Sequence, residues 1–212
     1  IKFRGEMKDY LPRVATRFEA TEVYSNSPFI YANGKKNIAV TGSGFSSILD
    51  GGGFKTPLSI GRGGQVKYLR PAGDVDHWVP VLERHKLPGN DFMSASIIEF
   101  HKCKNILLAD YKIIEATGGW FHNPVLCENM TVRGLHIEGT RDAFDPEGCR
   151  DVLIENCFMK THDDCIAIKA GRDGDGWRVG VPTENIIIRN CTIDSKVNPI
   201  CMGSEISAGV RN

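Results

Sequence analysis

Apolar and polar residues alternate in five short stretches of this chain. The stretches share one plan: NIAVTG from Asn37, NILLAD from Asn105, NMTVRG from Asn129, DVLIEN from Asp151 and NIIIRN from Asn185. Each begins with a side-chain amide or carboxylate and continues with apolar residues at alternate positions. Alternation over four to six residues, bounded by Asn, Asp or Gly, predicts β-strands. A second short apolar strand often follows, as in GLHI or NCTI.

The stretches recur at a period that predicts how the strands assemble. The intervals are 24 residues from Asn105 to Asn129, 22 to Asp151 and 34 to Asn185. The longest interval includes GRDGDGWRVGVP, which we interpret as a glycine-rich turn. A period in the low twenties with short strands in every unit is typical of a solenoid. We therefore predict an all-β fold, a parallel β-helix in which each unit forms one rung. A leucine-rich repeat is disfavoured because its leucine pattern is missing and no unit contains a helical stretch.

The whole chain, residues 1–212, is predicted to form a single β-helix domain. A stretch rich in Pro, Gly and charge, at about 54–92, interrupts the repeat and is interpreted as a long excursion from one rung. Trp78 is expected to pack this excursion down. Because GVRN at residues 209–212 resembles the beginning of another unit, the chain is expected to be a slice of a longer β-helix, incomplete at its C-terminus.

Composition narrows the possible partners. Lys plus Arg and Asp plus Glu each number 26, and this balance argues against nucleic acid or a membrane surface as a partner. No apolar run is long enough to span a membrane. The seven cysteines include no C-x-x-C pair, so we expect reduced thiols stacked in ladders, with disulfides between rungs as the alternative. No cofactor or metal is expected, since RDGDG resembles only part of a calcium-binding EF-hand loop.

Three acidic residues fall about one rung apart. Asp163 and Asp164 are adjacent, and Asp142 precedes Asp163 by 21 residues. Residues one rung apart lie above one another, about 4.8 Å apart between backbones, so the three carboxyl groups should converge at one edge. At least one pKa should then rise, which suits acid and base catalysis of bond cleavage. An acidic pair in a turn is otherwise most often solvated or a cap.

Longer stretches of this sequence carry a family resemblance. DDCIAIKAGRDGDG, GSEISAGVRN and the earlier SPFIYANGKKNIAVTGSG resemble the polygalacturonase family of glycoside hydrolases. The resemblance implies a right-handed parallel β-helix that hydrolyses a pectic polysaccharide or oligosaccharide, of galacturonan or rhamnogalacturonan type, with inversion at the anomeric carbon. By resemblance, Asp163 is the general acid, while Asp142 and Asp164 orient the attacking water. A secreted or periplasmic location follows from that function.

The chain departs from the family pattern at two motifs. Of the family's N-T-D-G only Asp142 is kept, and the histidine of G-H-G is replaced by Val197. Arg141 and Lys196 are positive groups close to the acids and could hold a uronate carboxylate. His162 could replace the missing histidine. Trp177 could stack on a sugar or anchor its loop. Lys169 alternates with Ile168, so it should point outward towards substrate. The candidate substrate-binding residues are Arg141, His162, Lys169, Trp177 and Lys196.

Two other functions fit the same pattern. The first is a catalytically degenerate relative that only binds carbohydrate, which Val197 supports. The second is a polysaccharide lyase, which needs a Lys or Arg base and usually calcium. Release of reducing sugar without an ultraviolet-absorbing product distinguishes a hydrolase from both.

Overall fold

The computed structural model describes residues 1–6, 10, 12, 14–25, 27–55, 96–115 and 119–212. Most of the excursion predicted at 54–92, including Trp78, lies outside the described residues. One helix in the described part, α1 (Asp173–Val179), accompanies a series of β-strands. In chain order the strands are β1 (Lys2–Glu6), β2 (Val14–Phe18), β3 (Thr21–Ser25), β4 (Ile30–Asn33), β5 (Lys36–Thr41), β6 (Ile48–Lys55), β7 (Ile98–His101), β8 (Lys104–Ala109), β9 (Lys112–Ile114), β10 (His122–Val125), β11 (Glu128–Arg133), β12 (His136–Gly139), β13 (Arg150–Glu155), β14 (Phe158–Thr161), β15 (Ile166–Ile168), β16 (Thr183–Arg189), β17 (Thr192–Ser195), β18 (Ile200–Met202) and β19 (Val210–Arg211).

The strands stack into three parallel sheets, which confirms the predicted parallel β-helix. Sheet A has the order β1-β6-β9-β12-β14-β17, and sheet B has the order β19-β16-β13-β11-β8-β5. Sheet C contains β4, β7 and β10, followed by β15 and β18. Phe144 joins the two parts of sheet C, because it bridges His122 on one side and Ile166 on the other. Each rung passes through sheets C, B and A in turn.

The five repeated stretches form five successive strands of sheet B, and their leading residues share one conformation. Asn37, Asn105, Asn129, Asp151 and Asn185 all have φ of 56–58°, a left-handed conformation that Asn and Asp tolerate best among residues with side chains. The Asn105 amide donates to Asn37 at 2.7 Å, and the Asn129 amide donates to Asn105 at 2.9 Å. The Asn185 amide donates to Asp151 at 2.9 Å. The Asp151 side chain has no N–H to donate to the Asn129 side chain, so this amide ladder is interrupted at one step.

Side chains in sheet C alternate between the core and the outer face. Ile98, His122, Phe144 and Ile166 occupy equivalent positions on successive rungs, and all are buried within the coil. Burial of an aliphatic or phenyl side chain contributes about 2 kcal/mol each. No rung could bury these residues alone, so the stacking of rungs supplies the core.

The cysteines are part of this packing. All seven are free thiols, as predicted. Cys127 Sγ donates to the carbonyl of Phe100 at 3.1 Å, and Cys149 Sγ donates to that of Pro124 at 3.3 Å. Burial and neighbouring thiols raise the pKa of several of these groups, so they behave as small apolar residues with a weak donor.

A hairpin that the sequence did not predict covers part of the outer face of sheet C. Its strands β2 and β3 pair antiparallel. Tyr31 donates its hydroxyl to the carbonyl of Ala15 at 2.8 Å, and the Asn123 amide donates to the carbonyl of Arg17 at 3.3 Å. Thr16 donates to the Glu99 carboxyl. The hairpin therefore lies across three consecutive rungs.

The stretch predicted as a glycine-rich turn is instead helical in part, and the expectation that no unit contains a helix is wrong. Helix α1 forms within GRDGDGWRV because two glycines let the backbone fold closely on itself. Gly171 has φ of 74°, and a Cβ on it would lie 2.4 Å from the Cα of Gly176. In the described part, no helix is long and apolar enough to cross a bilayer.

Candidate active site

Three turns connect sheet A to sheet C on successive rungs, at residues 140–143, 162–165 and 196–199. We call them the edge turns. They carry the predicted acids at the beginning of the sheet C strands. Phe144 pairs with Ile166, and the Ala143 N–H donates to the Asp164 carbonyl at 3.2 Å. Asp142 therefore stacks on Asp164, 22 residues later, and Asp163 lies one residue from that register.

Asp163 lies at the bend where the second edge turn enters the sheet. Its carbonyl accepts hydrogen bonds from Thr161 Oγ1 at 2.6 Å and Ser195 Oγ at 2.7 Å, which fixes the backbone. Its carboxylate accepts the N–H of Asp164 at 3.2 Å. The bend was expected from the sequence, because strict alternation would send two adjacent acids to opposite faces.

The Asp164 carboxylate is held by two donors from the next rung. Asn198 Nδ2 donates to one oxygen at 2.8 Å, and Cys201 Sγ donates to the other at 3.2 Å. Asn198 belongs to the third edge turn. Val197, which stands where the family has histidine, is 58% exposed beside it. Asp164 is consequently fixed in orientation without that histidine.

Asp142 is the buried member of the three acids. Burial raises the pKa of its carboxyl to about 6, and the negative charge of Asp163 is the next largest cause. Asp164 acts in the same direction, whereas the positive charge of Lys169 opposes it. These interactions place all three acids in one electrostatic cluster, as the sequence predicted.

A second group of charges, which the sequence analysis missed, adjoins the cluster. Asp145 is fully buried and lies 3.7 Å from Lys169 Nζ, and Lys169 also donates to Glu205 at 3.1 Å. Burial, then the charge of Asp142, raises the pKa of Asp145 well above its ordinary value. Lys169 is buried, and its ammonium group is paired within the protein, so its expected contact with substrate stays a prediction.

Trp120 is another residue that the sequence analysis missed. It precedes Asp142 by 22 residues, the spacing that separates Asp142 from Asp164, so it stacks on the same column one rung earlier. Its ring centroid lies 5.4 Å from Lys169 Nζ, and it is partly exposed. The 22-residue spacing was the available signal.

Three predicted substrate-binding residues lie in the edge turns. Arg141, His162 and Lys196 are all exposed, and His162 and Lys196 follow the paired residues Thr161 and Ser195. Their position beside the acids leaves the prediction open. His162 also lines a pocket of about 380 Å³, together with Lys112, Ile114, Glu115, Glu138, Gly139, Thr140 and Lys160.

Trp177 is placed differently. It is 66% exposed on α1, and this helix contacts the hairpin residue Glu22 through Asp175 and Arg178. The structure does not join Trp177 to the acid cluster through any contact of the described residues. Its proposed stacking on a sugar stays a prediction.

No three His, Cys, Asp or Glu side chains of the described ranges lie close enough together to hold a metal ion.

Comparison with known proteins identifies relatives of this arrangement. Residues 74–205 match the family described as glycosyl hydrolases family 28. A probable polygalacturonase from Vitis vinifera is 30% identical over 122 residues, covering 55% of this chain and 25% of that protein. One from Arabidopsis thaliana is 24% identical over 125 residues, covering 48% of this chain and 27% of that protein. The chain thus spans about a quarter of the length of these relatives.

A solved structure gives the same result for the fold. The crystal structure of a hyperthermoactive exopolygalacturonase from Thermotoga maritima superposes with a TM-score of 0.84 at 36% identity. The match covers 100% of this chain and 52% of the Thermotoga chain. Together with the stacked acids and the family match over more than half of the residues, this likeness leads to one assignment. The chain belongs to the polygalacturonase family, family 28 of the glycosyl hydrolases.

Proposed function

We propose that this chain carries the catalytic acids of a glycoside hydrolase that cleaves O-glycosidic bonds in a pectic polysaccharide or oligosaccharide. The observation that supports this most directly is the stacking of Asp142 on Asp164, with Asp163 at the adjoining bend. The family membership and the names of the relatives support the substrate class. A secreted or periplasmic location is part of the proposal, because pectin is an extracellular polymer.

The surroundings of the three acids suggest different roles for them. Both Asp164 oxygens accept bonds from the next rung, so this carboxylate is suited to orient a water molecule. Asp163 is partly exposed, and its carboxyl accepts a hydrogen bond from the neighbouring N–H of Asp164. Asp163 is therefore suited to donate a proton to the leaving oxygen. In the inverting mechanism, Asp142 and Asp164 activate the water that attacks the opposite face of the sugar.

The burial of Asp142 is consistent with its proposed role in activating water. Its pKa of about 6 makes the ionised form, which accepts a proton from water, predominant only above that pH. A general base works best when its pKa is near the working pH. We therefore place the acidic limb of the pH–rate profile near pH 6.

The covered outer face of sheet C supports attack at chain ends. Ser96 occupies the position one rung before Trp120 and is buried, as are the outward-facing Glu99 and Asn123 under the hairpin. The column of the acids is therefore closed beyond Trp120, and a sugar chain lying along it would end there. The Thermotoga relative is named an exopolygalacturonase, which agrees with this mode.

The test is Asp163→Asn in the full-length protein, assayed on an oligogalacturonide by release of reducing sugar. Loss of the proton donor should lower kcat by about a hundredfold or more, with the circular dichroism spectrum and melting temperature unchanged. Asp194→Asn is the matched control, because Asp194 is an exposed acid that pairs with Lys160 on sheet A. Near-normal rates for Asp163→Asn would refute the assignment.

The same assay separates the alternatives. Products of one short length at every time point support attack at chain ends, whereas a mixture of lengths opposes it. Binding of the oligosaccharide without cleavage by the wild-type protein favours the binding-only relative, to which the exposed Val197 points. A product that absorbs in the ultraviolet favours a lyase.

A further inference from the structure

We propose that Lys169 is a positioning residue, whose ammonium group favours the ionised form of Asp142 that catalysis requires. It acts on Asp142 and on the buried Asp145 carboxyl beside it. The proposal deepens the proposed function and rests on it. It concerns charges that lie behind the acid cluster rather than the three acids themselves.

The first observation is the setting of Asp145. It is 0% exposed, and among the described residues no N–H group donates to its carboxyl oxygens. Its hydrogen-bonding neighbour is the Asp142 carboxyl. Burial of a carboxylate without hydrogen bonds is costly, and such a group tends to take up a proton instead. Its cation, Lys169, lies 3.7 Å away, which is beyond hydrogen-bonding distance. Burial therefore favours the protonated form of Asp145, which can donate a hydrogen bond to the Asp142 carboxylate.

The second observation is that Lys169 is shared. Its Nζ donates to Glu205 at 3.1 Å, lies 3.7 Å from Asp145 and stands 5.4 Å from the centre of the Trp120 ring. Glu205 follows β18, and Asp145 belongs to the rung of Asp142. The single positive charge is thus divided between two carboxyl groups on opposite sides.

The number of acids around the Asp142–Asp145 pair makes the position of the Lys169 charge important. Acids outnumber bases there, so at least one proton stays on the pair, and Lys169 sets how strongly that proton is bound. The titratable groups that face the pair from neighbouring elements include Lys169. Those that face the pair or Lys169 are Glu147, Asp163, Asp164, Cys201 and Glu205. Lys169 is the positive charge that lowers the pKa of both Asp142 and Asp145.

Two substitutions should act with opposite sign. Lys169→Met removes the cation, so Asp142 should hold its proton to higher pH. Glu205→Gln removes the competing anion, so the whole charge of Lys169 acts on Asp145 and Asp142, and Asp142 should lose its proton at lower pH. Damage to the fold would not produce opposite shifts, because a loosened site exposes the acids in both variants.

The experiment is a titration of Asp142 by carbon-13 NMR in the full-length protein labelled at aspartate carboxyl groups, with Asp142→Asn assigning the signal. We expect an upward shift of the midpoint by about one pH unit or more in Lys169→Met and a downward shift in Glu205→Gln. Lys169→Arg should remain close to wild type. Lys104→Met and Glu155→Gln are the controls, because both residues form ion pairs on sheet B. Neither substitution should move the titration midpoint of Asp142.

The acidic limb of the kcat/KM profile should move with each midpoint. Shifts of equal sign in the two variants, or no shift in either, would overturn the proposal. If Lys169→Met does not fold, the downward shift in Glu205→Gln decides alone. If the wild-type protein hydrolyses no pectic substrate, the proposed function fails, while the titration still tests the positioning role of Lys169.

Discussion

Arg17 anchors the hairpin to two different parts of the coil, and replacing it by methionine should destabilise the protein strongly. Its Nε lies 2.5 Å from Glu147 Oε1, and its second terminal nitrogen lies 3.0 Å from Asp175 Oδ2. The same nitrogen donates to the carbonyl of Ala20 at 2.7 Å. Arg17 is 2% exposed, and methionine retains most of its apolar volume while removing the charge.

The magnitude follows from what the substitution leaves behind. Asp175 and Glu147 have side chains that are 0% and 4% exposed, so each would lose a buried cation. Breaking a buried ion pair from one side costs about 3–5 kcal/mol when the remaining charge is uncompensated. Here that charge is Glu147, because Asp175 keeps its pair with Arg178. For a chain of this size, that loss corresponds to a fall in melting temperature of roughly 10 °C.

Urea denaturation of wild type and variant measures the difference in free energy of unfolding. Arg178→Met is the matched control, because Arg178 also pairs with Asp175 but is half exposed, and its loss should cost about 1 kcal/mol or less. Combining Arg17→Met with Glu147→Gln should cost less than the sum of the single changes. If Arg17→Met proves no more costly than Arg178→Met, the argument from burial is refuted.

Two further predictions concern stability. Burial raises the pKa of Glu99 to about 8 from an ordinary value of 4.5, so the folded protein keeps a proton that the unfolded chain releases between these values. Stability from this group is complete below pH 4.5 and is lost as pH rises through 8, at up to about 1.4 kcal/mol per pH unit. Wild type should therefore lose stability across this range relative to Glu99→Gln, whose side chain does not titrate. Urea denaturation at several pH values measures the difference in free energy of unfolding, and a constant difference contradicts the reasoning. Asp151→Asn should complete the amide ladder at its interrupted step and stabilise the protein by about 1 kcal/mol. Thermal unfolding measures this gain, and Asn129→Ala should lower stability instead.

The repeat was readable from the sequence because each rung repeats the same local requirement. A residue that tolerates positive φ lies at the second or third position of five sheet B strands, and alternation then fixes which side chains enter the core. Asn129 and Asp151 show this requirement in the sequence, so the repeated strands of sheet B could be located. The approach of Asp142 to the acid pair followed from the same period, although the register proved to be 22 residues.

The Lys169–Glu205 pair, the hairpin and helix α1 could not be predicted, because they depend on contacts that leave no local pattern in the sequence. The pairing of Lys169 with Glu205 joins residues 36 positions apart on different rungs. The hairpin belongs to a segment without the repeat, and Arg17 lies 130 residues from its partner Glu147 in the sequence. Helix α1 was missed because its glycines suggested a turn, whereas they serve a close approach between Gly171 and Gly176.

The 34-residue unit from Asp151 to Asn185 inserts α1 between sheets C and B, yet strand pairing continues undisturbed on either side of it. The coil thus tolerates additions at its corners while the strands keep their partners. An insertion at such a corner can therefore change the surface around the coil without changing the interior that holds the acids in place.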